Sequence, residues 1–466
     1  MAITTEQISA WCEMLLAGRA AAPELELEDY LQAIPRLDSL ADVPSGTPVL
    51  VRGDVDAKPG EQIGQGDIRL RSMVDTLQYG QERGWKQILF GHIGRKPEGS
   101  LAQVARRLGE LLRCDVPLVT DWLDEPTITI ADAVRAQIED APPGAVLMLE
   151  NTRRYAIERV LWKAKPADLP PLSDQLARFA NEFADKVARV FVHEALSAGS
   201  MDASSTVGPA AMDRVALGKY VASEFDGPMR RCLATQLVIF SGLKIDKLDD
   251  LEAMIGRGAI RLVFAAGSLA MALKKAICQL DGRPCCLGVA EDPAHADKPY
   301  YIPPERIEQA QRMVSDGRAK GIEFVVPIDS VVADGSIVEQ LQPHQQQFDV
   351  GPKTSELFER RIGAFLAQKP PEAVAFYNGV FGMFEDPRFE AGTKRFIPQL
   401  KRLTDAGVEV YVGGGEGGKA LEKYGRSDWV THVFTAGGTV LNALGNEPVP
   451  YLAALRAAAQ RQAAQV

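Results

Sequence analysis

Cysteine and histidine are scarce in this chain, with 6 cysteines and 5 histidines among 466 residues. The cysteines lack the CxxC spacing of zinc and redox sites, and the one close pair is Cys285-Cys286. No two histidines stand in HExxH spacing, so the sequence does not support a zinc centre. Scattered cysteines are typical of reduced thiols, and we therefore expect a cytoplasmic location.

Long apolar runs and an excess of basic residues are also missing. No uninterrupted run approaches the ~18 residues that a membrane span needs, and the first thirty residues do not resemble a signal peptide. Lys and Arg number 52 against 62 Asp and Glu, a formal net charge of −10. This balance argues against nucleic acid or an anionic membrane as the partner, but it leaves room for a local basic pocket that binds a small anion.

Short apolar runs alternate with helical patterns along the chain. The runs are Val49–Val51, Ile88–Phe90, Val116–Val119, Val146–Leu149, Val190–Val192, Leu237–Phe240, Arg261–Ala265, Phe324–Val326, Ala373–Tyr377, Val408–Val412 and Val430–Phe434. This alternation predicts an α/β protein with two doubly wound parallel-sheet domains. We expect an N-terminal domain at 1–214, a hinge helix at 215–232, a C-terminal domain at 233–448 and a C-terminal helix at 449–466 that packs back on the body. The proline-rich stretch 157–173 is predicted to be an inserted loop.

Arginines follow three strands of the first half. The loops read RGDVD at 52–56, GHIGRK at 91–96 and ENTRR at 150–154, and Arg69 opens the first helix. Because loops that follow parallel strands meet at one edge of a sheet, we expect Arg52, Arg69, Arg95 and Arg153 to converge. Guanidinium groups bind phosphate and carboxylate in bidentate fashion, so a small anion is the expected ligand.

Glycine turns follow the strands of the second half. The run GGGEGGK at 413–419 precedes a helix, and further turns hold Asn378-Gly379 and Gly437-Gly438. Backbone N–H groups at the start of a helix favour phosphate, so this half is predicted to bind a nucleotide. The run nearly fits a Walker A pattern, but Ala420 replaces the Ser or Thr that would hold Mg²⁺.

These motifs, in this order, resemble those of phosphoglycerate kinase. The family's VRVDFN, SHLGRP and LENLRF are similar to VRGDVD (51–56), GHIGRK (91–96) and LENTRR (149–154). Its GGAKVSDKI, DIGPKTVELF, WNGPMGVFE, GGGD and HVSTGGGASLE resemble SGLKIDKL (241–248), DVGPKTSELF (349–358), YNGVFGMFE (377–385), GGGE (413–416) and HVFTAGGT (432–439). The resemblance implies two Rossmann-like domains joined by a hinge, a monomer, and ATP or ADP with Mg²⁺ as the nucleotide.

The resemblance also implies roles for residues at matched positions. Arg69, Lys244 and Lys247 would be catalytic. The acid substrate would be bound by Arg52, Asp54, Asp56, His92, Arg95 and Arg153. The nucleotide would be bound by Lys353, Asn378, Glu385, Gly413, Gly414, Gly415, Gly437 and Gly438, and Glu416 would approach Mg²⁺. The small-molecule partner would be a carboxylic acid, phosphorylated or not.

The sequence departs from the family beside the acid substrate. The family's NDAFGTAHRAHAS reads HEALSAGSMDASS at 193–205, so Met201 replaces an arginine that binds the substrate phosphate, and Asp56 replaces an asparagine. These changes favour a carboxylate kinase with an altered acid substrate, which forms an acyl phosphate and releases it or passes it to an amine acceptor as a ligase. A genuine phosphoglycerate kinase and a non-catalytic nucleotide-binding relative remain open alternatives.

Overall fold

Several strands of the protein are short runs of aliphatic and aromatic residues that are buried on both faces. In the computed structural model, which describes residues 2–243, 245–368, 372–445 and 447–464, every residue of Val146–Leu149 and of Leu237–Phe240 is buried. Strands of this kind need helices on both sides of the sheet. They form parallel sheets between helical layers, as the alternating pattern predicts.

The described chain divides into two compact units, Met1–Asp226 with Glu447–Val466 and Gly227–Asn446. The strands of the first unit are β1 (Pro48–Gly53), β2 (Lys86–Phe90), β3 (Leu118–Val119), β4 (Leu123–Asp124), β5 (Thr129–Ile130), β6 (Val146–Leu149), β7 (Val190–Glu194) and β8 (Arg214–Leu217). Six of them form a parallel sheet in the order β3-β6-β2-β1-β7-β8, and β4 and β5 pair as a short antiparallel hairpin.

The second unit repeats this plan. Its strands are β9 (Leu237–Phe240), β10 (Leu262–Ala265), β11 (Glu323–Val325), β12 (Ser330–Val331), β13 (Ile337–Val338), β14 (Asp349–Val350), β15 (Val374–Asn378), β16 (Glu409–Gly413) and β17 (His432–Val433). The parallel sheet has the order β11-β10-β9-β15-β16-β17, and a small antiparallel sheet has the order β13-β12-β14.

Helices flank both sheets. The α-helices are α1 (Thr5–Ala17), α2 (Leu27–Ala33), α3 (Ile68–Ser72), α4 (Val74–Glu82), α5 (Ala102–Leu112), α6 (Asp132–Asp140), α7 (Ser173–Lys186), α8 (Ala203–Thr206), α9 (Lys219–Glu224), α10 (Arg230–Cys232), α11 (Lys247–Gly256), α12 (Gly267–Leu280), α13 (Pro304–Ala319), α14 (Pro352–Ala367), α15 (Ala391–Asp405), α16 (Gly415–Tyr424), α17 (Gly438–Leu444) and α18 (Pro450–Ala463). Short 3-10 helices span Gly18–Ala21, Leu37–Leu40, Thr152–Arg154, Ala156–Arg159, Pro166–Asp168, Gly208–Ala211, Gly288–Glu291, Pro293–His295, Pro387–Phe389 and Ser427–Trp429. No described helix is both long and apolar enough to cross a lipid bilayer.

The segment in which we expected a hinge helix begins with a strand. β8 pairs in parallel with β7, and Val215, Ala216 and Leu217 are fully buried within the first sheet. The chain then continues as α9, a π-helical turn at Phe225–Met229 and α10. The apolar run of β8 is too short to be distinguished from helix by periodicity alone. A hinge within residues 215–232 stays a prediction.

The strand order locates the loops that can bind ligands. In the first sheet β1 lies between β2 and β7, and in the second sheet β9 lies between β10 and β15. Proteins of this architecture bind ligands beyond the carboxyl ends of the strands, where the order reverses. The loops that follow β1, β7, β9 and β15 are therefore the places to look for a site.

Candidate functional site

Arg69 lies beside two carboxylates of the loop that follows β1. Its Nη1 donates to the backbone oxygen of Asp56 at 2.8 Å and to Oδ2 of Asp56 at 3.2 Å. Its Nε is 3.7 Å from Oδ1 of Asp54, and a quarter of the Arg69 side chain is exposed. A guanidinium held in this way keeps its orientation and can still meet an anion that arrives from solvent.

Both carboxylates beside Arg69 are held by further hydrogen bonds. Asp54 is buried and accepts bonds from the Ser197 hydroxyl at 2.6 Å and the Ser197 amide at 3.2 Å. Asp56 accepts a bond from the amide of Gly94 at 2.9 Å. Burial alone would raise the pKa of Asp56, but the hydrogen bond from the Gly94 N–H and the charge of Arg69 outweigh it and lower that pKa. Asp56 therefore carries a negative charge at neutral pH.

A second cluster of charged groups contains Arg52, His92, Arg153 and Asp202, all of them buried. Arg52 donates from Nε to the hydroxyl of Ser205 at 2.8 Å, and its Nη2 lies 2.9 Å from Nδ1 of His92. The same His92 nitrogen lies 3.0 Å from Oδ2 of Asp202. Arg153 donates from Nη2 to both carboxylate oxygens of Asp202, at 3.1 and 3.0 Å. Asp202 is thus the shared counter-ion of the cluster.

The stretch that we predicted to be an inserted loop supplies an aromatic residue to this cluster. Trp162 donates from its indole nitrogen to Oδ1 of Asp202 at 2.8 Å, and the Arg153 guanidinium lies 4.6 Å from the Trp162 ring centroid. Arg153 also donates to the backbone oxygen of Gly94 at 2.7 Å and to the hydroxyl of Ser200 at 2.9 Å. The insertion and the loop after β7 therefore build one arrangement around Arg153.

Burial and neighbouring charges set the protonation of this cluster. Burial, aided by the charge of Arg52, lowers the pKa of His92 in spite of its hydrogen bond to Asp202. Burial would raise the pKa of Asp202, but the contact with His92 and the charges of Arg153 and Arg52 outweigh it and lower that pKa. Burial, followed by the Asp202 charge, raises the pKa of Glu158 to about 7. Near neutral pH, His92 is therefore uncharged and Asp202 is ionised.

The glycine turns of the second unit meet around Lys247 and Asn378. Lys247, the first residue of α11, donates from Nζ to Oδ1 of Asn378 at 2.7 Å and to the backbone oxygen of Ser241. Asn378 in turn donates from Nδ2 to the backbone oxygen of Gly413 at 2.9 Å. The loops after β9, β15 and β16 are therefore tied together by two polar side chains.

Two glycines allow the backbones of these turns to approach closely. Gly379 has φ +103°, and a Cβ there would lie 2.1 Å from the backbone oxygen of Ser241. A Cβ on Gly437, which precedes α17 and its first residue Gly438, would lie 2.7 Å from the Cα of Gly414. No larger residue fits either position without displacing the neighbouring turn.

A cavity of about 270 Å³ lies beside these turns. Its lining includes Gly242, Gly267, Met271, Tyr300, Glu385 and Glu416. Glu416 follows Gly415 in the first turn of α16, where the helix dipole favours an anion. The cavity thus combines an apolar wall with carboxylates and exposed backbone, which suits a nucleotide.

The residues at this cavity fit a magnesium ion that is held together with a nucleotide. No group of three or more His, Cys, Asp or Glu side chains suited to a metal occurs among the residues that the structure describes. Mg²⁺ is commonly bound by one or two carboxylates and the phosphates of its nucleotide. Glu416 can supply such a carboxylate oxygen.

Two predicted residues stand outside these arrangements, and a third cannot be compared with them. Arg95 is exposed on the loop after β2 and makes no hydrogen bond or ion pair with any described residue. Lys353 pairs with Glu339, which lines a different cavity of the second unit. Lys244 lies outside the described residues.

Sequence reasoning missed Asp202, Trp162 and Ser197. Asp202 and Ser197 stand where the family motif NDAFGTAHRAHAS has alanine and glycine, respectively. The signal in the sequence that could have revealed them was this gain of two polar residues at apolar motif positions in the loop after β7. Trp162 lies in a segment without a counterpart in the motifs, and only its contacts reveal a role.

Comparisons with known proteins identify the family of this chain. The model of the family described as phosphoglycerate kinase matches residues 40–447. The cytosolic phosphoglycerate kinase of Triticum aestivum is 28% identical over 429 residues, which cover 88% of this chain and 95% of that protein. The phosphoglycerate kinase of Clostridium beijerinckii is 28% identical over 428 residues, 88% of this chain and 96% of its own.

Solved structures share the fold. Phosphoglycerate kinase from Pyrococcus horikoshii OT3 has a TM-score of 0.67 at 23% identity and covers 92% of this chain and 100% of its own. That from Coxiella burnetii has a TM-score of 0.63 at 22% identity, with 89% and 98% covered. The predicted two-domain parallel-sheet fold is therefore confirmed. Because the family model also spans most of the sequence, this chain belongs to the phosphoglycerate kinase family of ATP-dependent phosphotransferases.

Proposed function

We propose that the protein transfers the γ-phosphoryl group of ATP to the carboxylate of a small organic acid and so forms an acyl phosphate. The observation that carries this proposal is the position of Arg69, held by Asp54 and Asp56 at the loop after β1. This is the edge of the first sheet where ligands of doubly wound domains bind.

The physical obstacle to this reaction is charge repulsion, because an anionic carboxylate must attack a polyanionic phosphate. Arg69 would neutralise charge on the acid and on the transferring group, and an arginine in this role is worth a factor of about 10³–10⁵ in kcat in other phosphoryl-transfer enzymes. Asp54 and Asp56 keep the guanidinium oriented and would accept hydrogen bonds from hydroxyl groups of the acid. Preorganised charge of this kind is usually the largest contribution to catalysis.

The second unit supplies the groups that a nucleotide needs. The backbone N–H groups of Gly413, Gly414 and Gly415 lead into α16 and would bind phosphate oxygens. Lys247, fixed by Asn378, would bring a positive charge to the same phosphates. Bound Mg²⁺, held by Glu416 and the nucleotide, would supply further neutralisation of the phosphoryl oxygens.

The test is ADP formation by the purified protein with Mg-ATP and a panel of small carboxylic acids, with hydroxylamine present. Hydroxylamine attacks the carbonyl carbon of an acyl phosphate, releases phosphate and leaves a hydroxamate that can be measured. The proposal predicts ADP and hydroxamate in equal amounts with at least one acid. Failure of every acid to increase ADP formation, in a protein that binds Mg-ATP, would refute it.

A genuine phosphoglycerate kinase is the second candidate. The observation that favours it is the retention of Arg52, His92 and Arg153, the residues that the family resemblance assigns to the substrate phosphate. A turnover with 3-phosphoglycerate at least as fast as with any other acid of the panel would establish this alternative. Its absence, with hydroxamate formed from another acid, would support the altered substrate.

A further inference from the structure

We propose that Asp202 occupies the place of the substrate's phosphate group, so that the acid used by this protein carries no phosphate at the end remote from its carboxylate. This inference rests on the proposed function, since it names the class of acid for the same site. It concerns this chain in particular, because the family motif has alanine at this position.

Asp202 already binds the cations that would bind a phosphate. Arg153 donates to both of its oxygens at 3.0 and 3.1 Å, and His92 contacts Oδ2 at 3.0 Å. Arg52 lies 3.9 Å from the same oxygen. A carboxylate with two oxygens in contact with two guanidinium groups and an imidazole makes the contacts that a phosphate would otherwise make.

Asp202 is also fixed in its position and cannot turn away from these cations. Its side chain is fully buried and accepts a further hydrogen bond from Trp162 at 2.8 Å. Its backbone oxygen accepts bonds from the amides of Ser205 and Thr206, both at 3.0 Å, as α8 begins. Trp162 also covers the Arg153 guanidinium, so the insertion holds the ion pair in place.

The net charge of the cluster is too low for a phosphate. The two guanidinium groups of Arg52 and Arg153 give two positive charges, Asp202 removes one, and His92 is uncharged because its pKa is lowered. At most about one positive charge remains in the cluster. A phosphate dianion would therefore be repelled by the fixed Asp202 carboxylate, and the remaining positive charge could not neutralise it. An acid whose remote end is uncharged would experience no such repulsion.

The test compares binding of 3-phosphoglycerate to the wild type, Asp202→Ala and Asp202→Asn by calorimetry. Alanine restores the residue of the family motif, and asparagine removes the charge while it keeps the shape, so one variant serves if the other fails to fold. We expect both substitutions to strengthen binding by about tenfold or more, the size of one charge-assisted contact. Asp213→Asn, an exposed aspartate of the same unit that pairs with Arg189, makes the same change in net charge and should leave binding unchanged.

Binding and turnover separate this inference from the proposed function. The inference is overturned if the wild type binds 3-phosphoglycerate as tightly as the Asp202 variants, or if 3-phosphoglycerate is its best kinase substrate. It is supported if only the variants bind 3-phosphoglycerate tightly and the wild type forms hydroxamate from acids without phosphate. Absence of ADP formation with every acid would refute the proposed function by a different readout.

Discussion

Replacing Arg69 with alanine removes a guanidinium that lies beside both Asp54 and Asp56. The cost to folding should be small for two reasons. The Arg69–Asp56 pair is 25% and 35% exposed, and ion pairs of this kind contribute about 0.2–1 kcal/mol. Buried Asp54, 3.7 Å from Arg69, keeps its two hydrogen bonds from Ser197 when the guanidinium is removed. The cost to phosphoryl transfer should be far larger. An arginine at the transferring phosphoryl group contributes about 10³–10⁵ in kcat, which corresponds to about 4–7 kcal/mol.

The assay measures kcat from ADP release with the acid that the wild type uses, and the Kd of Mg-ATP by calorimetry. Arg71→Ala is the matched control, because Arg71 lies on the same helix, is 46% exposed and pairs with Asp67. We expect Arg69→Ala to lose at least about a thousandfold in kcat with little change in the Kd of the nucleotide, and Arg71→Ala to keep both values. A loss below about tenfold, or an equal loss of nucleotide binding, would refute the role given to Arg69.

Three further predictions concern other parts of the chain. Gly379→Ala should abolish nucleotide binding, because the new Cβ would lie 2.1 Å from the backbone oxygen of Ser241. Gly407→Ala is the control: Gly407 has φ +87° and open space around it, so this substitution should cost only about 1–2 kcal/mol of stability. Unchanged nucleotide binding in Gly379→Ala would contradict the prediction. The pKa of Asp202 is lowered in the folded state, so its ionised form stabilises the fold. This contribution to the free energy of unfolding is complete at pH values above the ordinary pKa of 3.8 and is lost as the pH falls below it. Urea unfolding should therefore show a steeper loss of stability from about pH 5 to pH 3 in the wild type than in Asp202→Asn, and equal slopes would count against the ion-pair cluster. Tyr451→Phe should raise the free energy of unfolding by about 1 kcal/mol, because the buried Tyr451 hydroxyl has no hydrogen-bond partner among the described residues. Tyr411→Phe should lower the free energy of unfolding, because it removes the 2.6 Å hydrogen bond from the Tyr411 hydroxyl to Glu409. The opposite order of the two tyrosine variants would show that the Tyr451 hydroxyl is satisfied.

Strands buried on both faces could be predicted from the sequence with little error. Val146–Leu149 and Leu237–Phe240 have the predicted bounds, since continuous aliphatic runs leave a parallel sheet few alternatives. The run at 116–119 is shorter in the structure, where only Leu118–Val119 pairs with β6. β8 was missed because its four residues merge with the helical pattern that follows them.

The candidate site could be predicted only where the residues in contact lie close together in the sequence. The placement of Arg69 beside Asp54 and Asp56 follows from a single connection, which contains Asp54 and Asp56 after β1 and leads into α3, the helix that carries Arg69. Asp202 and Trp162 are 40 residues apart, and their hydrogen bond depends on how an insertion folds over the sheet edge. Pattern and periodicity carry no information on such a contact.

The small antiparallel sheet of the second unit shows a similar limit. Its strands β12, β13 and β14 are two residues each, too short for alternation to be visible in the sequence. Lys353, which lies in a family motif, pairs with Glu339 just after β13. A motif predicted the lysine, but only the tertiary structure identifies its partner.

The central claim is that a carboxylate attacks the γ-phosphoryl group of ATP. The most direct measurement uses an acid with ¹⁸O at both carboxylate oxygens, together with Mg-ATP and hydroxylamine. If an acyl phosphate forms, the oxygen that bridges carbon and phosphorus comes from the acid, and attack of hydroxylamine at the carbonyl carbon releases it with the phosphate. The account predicts one ¹⁸O in each phosphate released, and ADP formation with phosphate free of ¹⁸O would contradict it.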